Sequence, residues 1–170
     1  MEYRYGVRCC SCMIATFPMI EDRLRQAGVI KQDLAGLWFQ GAYSSAVAQS
    51  ASTHRGGGVA DFRPILATDK ATKILRQCGL AAWPRPSMLP FHSHSVWAGC
   101  PHAHPSAKAQ VTAYRNGRDG LARNGPDNYP RPGYITWQQA LKAWTAQQEK
   151  AKPVDPIIGD TSRGSLLPAP

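Results

Sequence analysis

Apolar and polar positions along this chain change period several times, and the changes mark out its elements. Ile20, Leu24 and Ala27 recur at helical spacing behind Pro18, a residue suited to a first helical position, and Gly28 stops the run. This predicts a helix starting at Pro18. Residues 37–43 (Leu-Trp-Phe-Gln-Gly-Ala-Tyr) read as a strand rich in aromatics, and a glycine turn at 56–58 leads into a second strand at 59–62. Thr68 and Asp69 open a helix whose apolar face is Ala71, Ile74, Leu75 and Cys78, closed by Gly79. Residues 80–83 and 92–97 read as two further strands with a proline-rich connection between them. Ala107, Val111 and Tyr114 share a helical face that Gly117 and Gly120 interrupt, and 124–133 is a loop by composition. Thr136 with Gln139 predicts a capping box ahead of an apolar stripe formed by Trp137, Ala140, Leu141 and Trp144.

Short strands without regular crossover helices predict an α+β fold with a small, mainly antiparallel sheet flanked by helices. A length of 170 residues suits one core-forming domain. We expect that domain over residues 1–125, a loop and packing helix over 126–152, and a Pro/Gly/Ser-rich tail over 153–170.

Composition narrows the function classes. Hydrophobic residues at 43% and charged residues at 18% describe a globular chain. The formal net charge of +9 favours polyanionic partners, among them nucleic acid, anionic lipid and bacterial wall. The basic residues are scattered, with Arg23 and Arg25 the longest cluster, so no specific nucleic-acid partner is expected. No segment has the roughly 18 uninterrupted apolar residues of a membrane span. The apolar stretch at 13–20 is short and holds Pro18, which argues against a secretory signal. Five cysteines, an odd number, do not make a complete disulfide framework. Cys9, Cys10 and Cys12 cluster far from Cys78 and Cys100, and read either as reduced, partly buried thiols or as part of a second, structural zinc site.

The chemistry concentrates in Ser52-Thr53-His54-Arg55-Gly56-Gly57-Gly58-Val59-Ala60-Asp61. A glycine turn lets His54 and Asp61 approach one cation from adjacent strands, because no side chain fills the space between them. A third protein ligand would complete a catalytic zinc site and leave a fourth position for water. Candidates are His92, His94, His102 and His104. His92 and His94 are two apart in a strand and face the same side, which favours His94, with His104 the main competitor.

These residues resemble the zinc D-Ala-D-Ala carboxypeptidases and L-alanyl-D-glutamate endopeptidases of bacteria and phages, whose fold is shared with the hedgehog signalling domain. Within that family the sequence resembles more an actinobacterial and actinophage subgroup, through Cys10-Ser11-Cys12, Pro18, Ser52 to Asp61, His92-Ser93-His94 and the helix carrying Ala107, Gln110, Val111 and Tyr114; the resemblance spans roughly residues 8–125. The resemblance implies a zinc peptidase that cuts peptidoglycan peptides, with His54, Asp61 and His94 as ligands and Ser52 in support. It implies an endolysin or a virion-associated wall hydrolase, located in a phage virion alongside tail subunits, or in the host cytoplasm before release to the wall. A wall-binding or structural tail protein of the same fold is the alternative.

Two positions depart from the family. Phe91 stands three residues before His94, where these peptidases keep an acid that deprotonates water, and their transition-state arginine has no evident counterpart, Gln40 falling in its neighbourhood. A related lysostaphin-like branch closes with His-x-His, whose first histidine transfers the proton. By that resemblance His92 is the general base, a role imidazole can fill because it ordinarily titrates at about 6.5.

Overall fold

Four short strands, each with one face toward aromatic core and one toward polar side chains, position everything that follows. The computed structural model of the protein describes residues 1–44 and 52–152, so the tail expected from residue 153 lies outside the described residues. In chain order the elements are β1 (Glu2–Arg4), β2 (Val7–Cys9), α1 (Ser11–Gln26), β3 (Trp38–Gln40), β4 (Val59–Phe62), α2 (Asp69–Gln77), β5 (Leu80–Arg85), β6 (His92–Trp97), α3 (Pro105–Arg115) and α4 (Trp137–Ala151). β1 and β2 form a hairpin, and the main sheet is antiparallel throughout in the order β3-β4-β6-β5. The architecture is α+β, with small antiparallel sheets flanked by helices.

Register assigns the two faces of the main sheet. Directly opposed residues share a face, and Asp61 opposes His94, Trp83 opposes His94, and Arg85 opposes His92. These polar and aromatic residues therefore line one side. The other side carries Phe62 and Trp97, covered by α1: Trp97 Nε1 donates to Thr16 Oγ1 at 2.7 Å, and Phe17, Trp38 and Phe62 follow one another with ring centroids 5.3 and 4.6 Å apart. Phe62 is fully buried, which stabilises the fold by about 1.5–3 kcal/mol. A bulge joins β3 to β4, since Trp38 opposes Phe62 while Gln40 opposes Asp61. Two steps along β3 match one along β4, and this sends Trp38 to the core and Gln40 to the polar face.

Several boundaries differ from those expected. α1 begins at Ser11 rather than Pro18 and holds the proline in its interior. The buried stripe Met13, Phe17, Ile20 and Leu24 runs through it, and Pro18 itself lies on the exposed side, where it removes a single backbone bond. β3 stops at Gln40, short of residue 43. Gly41 leaves the sheet to pass against β2, so close that an added Cβ would sit 2.7 Å from Val7 Cβ, and Ala42 N then donates to Arg8 O at 3.0 Å. β5 runs on through Pro84 to Arg85, which an edge strand permits because it has one unpaired side. The β1–β2 hairpin turns at Tyr5 and Gly6, both at positive φ (54° and 79°), as a tight two-residue turn demands. The capping box of Thr136 and Gln139 forms as expected, and α4 docks on α1 through Trp144 Nε1, which donates to Asp22 Oδ2 at 2.7 Å. Among the described residues no helix is long and apolar enough to cross a membrane.

Candidate metal centre

His54, Asp61 and His94 converge, each offering a ligand atom within 4.8 Å of the other two. Asp61 in β4 and His94 in β6 are opposed across the sheet. His54 comes from a 3-10 turn, Thr53–Arg55, rather than from a strand as its spacing implied. The three glycines after it bring that turn in. An added Cβ at Gly56 would meet His104 N at 2.3 Å and one at Gly57 would meet His102 Cβ at 2.7 Å, so only glycine lets the backbone lie this close to the segment after β6.

Hydrogen bonding determines which atoms face inward. His54 Nδ1 lies 2.9 Å from Gly41 O; a carbonyl only accepts, so Nδ1 carries the proton and Nε2 turns its lone pair toward Asp61 Oδ2, 3.2 Å away. Gln110 in α3 donates through Nε2 to Gly120 O at 3.1 Å, which presents its Oε1 to His94 Nε2 at 2.8 Å. His94 Nε2 therefore donates, and its Nδ1 lone pair faces Asp61 Oδ1 at 2.7 Å. Two imidazole lone pairs and a carboxylate at these distances repel one another unless a proton or a metal cation lies among them. Burial pushes His94 below its ordinary pKa despite Asp61 beside it, which disfavours the proton. Burial acts to raise the Asp61 carboxyl, but a proton held on His94 or His54 beside it outweighs burial and holds Asp61 below the usual carboxylate range. The donor set of two nitrogens and one carboxylate oxygen suits a divalent cation.

The other expected site residues fall as follows. His92 lies beside the trio: Nδ1 donates to Pro90 O at 2.7 Å, and Nε2 is 3.8 Å from Asp61 Oδ1. Gln40 opposes Asp61, and its Nε2 is buried without a hydrogen-bond partner among the described residues. Ser52 precedes the His54 turn at positive φ (65°); its carbonyl accepts from Arg55 N at 3.1 Å, and its hydroxyl makes no capping bond. His104, the competing ligand, instead caps α3 with Nδ1 2.8 Å from Ser106 Oγ, outside the trio.

Two residues at the site carry no site role in the sequence, although Gln110 stands in the helix that carries the resemblance. Gln110 fixes the His94 tautomer, and its signal was a polar residue on the face shared by Ala107 and Tyr114. Arg85 lies past the expected end of β5, 4% exposed, on the ligand face opposite His92. Its Nη1 donates to Asp119 O at 2.8 Å, its guanidinium lies 5.0 Å from the Trp83 ring centre, and Nη2 is buried without a hydrogen-bond partner among the described residues. Burial draws the Arg85 pKa down to about 10, with the carboxylates of Asp119 and Asp61 opposing.

Residues behind metal-binding histidines are worth about 10–100-fold in metal affinity. Gln110→Ala should weaken metal binding by that factor, measured by competition with a chelating dye, while Gln110→Glu, which keeps an acceptor on His94 Nε2, should restore much of it. Equal affinity in Gln110→Ala and wild type would show that Gln110 does not orient His94.

No protein-family model, curated protein or solved structure matches the chain.

Proposed function

We propose that this chain is a zinc-dependent peptidase that cleaves peptide bonds of bacterial peptidoglycan, with the hedgehog-type fold of the carboxypeptidases and endopeptidases it resembles. The observation that carries the reading is the convergence of His54, Asp61 and His94, beside a fourth side chain, His92, whose Nε2 lies 3.8 Å from the same carboxylate. Bound by the three ligands, zinc supplies Lewis acidity to a scissile carbonyl and lowers the pKa of water toward neutrality. The chain's own residues supply the rest. His92 accepts a proton at Nε2, oriented by its Nδ1 bond to Pro90 O, and returns it to the leaving amine. Arg85 Nη2 and Gln40 Nε2, on the ligand face and without hydrogen-bond partners among the described residues, are donors for the substrate's carbonyl or carboxylate oxygens. The net charge of +9 favours adsorption to an anionic wall. A phage virion, with neighbouring tail subunits, or the host cytoplasm before lysis is the setting this reading implies.

Purified chain with peptidoglycan should release new amino groups. His92→Ala should lower kcat by about 10²–10⁴ while retaining zinc, since general acid–base groups contribute on that scale; an unchanged kcat would exclude His92 as the base. Phe91, 37% exposed at the family's acid position, favours a second reading: a zinc-containing wall-binding or structural tail protein without turnover. Chain that sediments with walls but releases no amino groups would establish that reading instead.

A further inference from the structure

Outside this centre, the described residues bring one other set of metal-binding side chains together. Cys10 stands at the N-cap of α1, Cys12 in its first turn, and Cys100 in the loop after β6; all three are buried and their Sγ atoms lie within 4.8 Å of one another. Cys9, next in the chain, turns its Sγ away to Val7 O at 3.7 Å. Cys10 Sγ and Cys100 Sγ are 3.7 Å apart. That is far longer than a disulfide bond of about 2.05 Å. It matches the sulfur–sulfur edge, about 3.8 Å, of a tetrahedron around a cation with Zn–S of about 2.3 Å. The spacing is paired as well, Cys10-x-Cys12 with Cys100-x-His102. His102 Cβ and Cys10 Cβ both flank Gly57, lying 2.7 and 2.8 Å from where its Cβ would be, and His102 Nε2 rests 3.4 Å from Ser11 Oγ.

We propose that Cys10, Cys12 and Cys100 form a second, structural zinc site, with His102 turning inward from Ser11 as the fourth ligand. Thiolates are the preferred donors for closed zinc sites, which need four protein ligands and leave no place for substrate. The site's place in the fold gives it a task. A Cβ at Gly58 would lie 2.6 Å from Cys100 Sγ, and Gly57 N donates to His102 O at 2.7 Å. The glycine turn that delivers His54 and Asp61 thus lies directly on the cysteine cluster. An ion there ties together the start of α1, that turn and the loop after β6.

The test uses the full chain with both histidines of the first centre replaced, His54→Ala/His94→Ala. That variant should keep one zinc per chain, and X-ray absorption at the zinc edge should show a shell dominated by sulfur at about 2.3 Å with one nitrogen at about 2.0 Å. Loaded with cobalt, it should show sulfur-to-metal charge transfer. A variant that purifies without metal and takes up none, or whose metal has only nitrogen and oxygen neighbours, would overturn the proposal. So would a Cys10–Cys100 disulfide, seen as a mass lower by a pair of hydrogens. His102→Ala in the same background should weaken zinc binding at least 10-fold; unchanged affinity would remove His102 from the ligand set.

Discussion

Asp61→Asn should abolish tight metal binding at the His54–Asp61–His94 centre and, with it, the amide-bond cleavage proposed for the chain. Asp61 is the sole anion of the trio, and asparagine keeps its shape while replacing one oxygen by an N–H donor. A ligand that binds only the folded state stabilises it by RT ln(1 + [L]/Kd), about 4.1 kcal/mol at a thousand times Kd. Wild type should therefore show a zinc-dependent rise in unfolding free energy that Asp61→Asn largely lacks. The metal-free chains should behave differently. Without an ion, the Asp61 carboxylate keeps its contacts with His94 and His54, and the asparagine amide can replace one of them by donating. At neutral pH metal-free Asp61→Asn should therefore lose much less stability than the zinc-loaded comparison shows. A large loss of stability in the metal-free variant would mean that Asp61 is a structural residue rather than a ligand.

Lowering the pH should mimic the substitution. His94 and Asp61 both have folded-state pKa values below their ordinary ones. For a depressed pKa the unfolded state binds more protons in the window between the two values, so stability is present above the unfolded pKa and lost as pH falls. For His94 the loss begins near the ordinary histidine value of about 6.5, and for Asp61 only near the ordinary carboxylate value of about 3.9. Protons also compete with the metal for the His94 Nδ1 lone pair. The zinc-induced stabilisation should shrink through the first window, as equilibrium unfolding with and without zinc from about pH 7.5 to 5 would measure.

How much of this was legible in the sequence depends on whether the signal was local. The runs 59–62 and 92–97 are short and bounded by glycine- and proline-rich turns, as strands are. The glycines after His54 announce a turn that a ligand pair can share. Thr136 and Gln139 spell their capping box within four residues. What stayed hidden depends on distant parts of the chain. Nothing near Gln40 shows that a bulge will turn it toward Asp61. The start of α1 was misplaced because Pro18 is a strong local stop signal, overridden by a buried face that runs on both sides of it. Arg85 was missed because Pro84 suggests the end of a strand, and only the edge position of β5 makes that proline harmless. The pairing of Cys10 and Cys12 with Cys100 spans ninety residues and is set by where α1 meets the loop after β6.

The largest stability effect should come from Asp127→Ala. The run of residues 124–133 has the composition of an open loop, yet it is pinned by a fully buried ion pair. Arg76 Nη2 lies 2.8 Å from one Asp127 carboxylate oxygen and 3.0 Å from the other, and neither side chain is exposed. The same guanidinium donates to Ala82 O at 2.9 Å, Tyr129 O at 3.1 Å and Pro130 O at 2.9 Å, and lies 4.8 Å from the Tyr114 ring centre. Removing one partner strands a buried charge, at a cost of about 3–5 kcal/mol. Arg76→Met in the same chain should not rescue it, because three carbonyls would lose their donor; the two substitutions together should nevertheless cost less than the sum of each alone. Urea unfolding at constant m would measure both. The loss should also reach the metal centre. Asp127 N donates to Gly117 O, and the segment this holds supplies Asp119 O to Arg85 and Gly120 O to Gln110. Asp127→Ala should therefore weaken metal binding in the same direction as Gln110→Ala, although Asp127 touches no ligand. A variant within about 1 kcal/mol of wild type, below the buried-pair range, would show that other contacts order this loop, and the metal affinity should then be unchanged too.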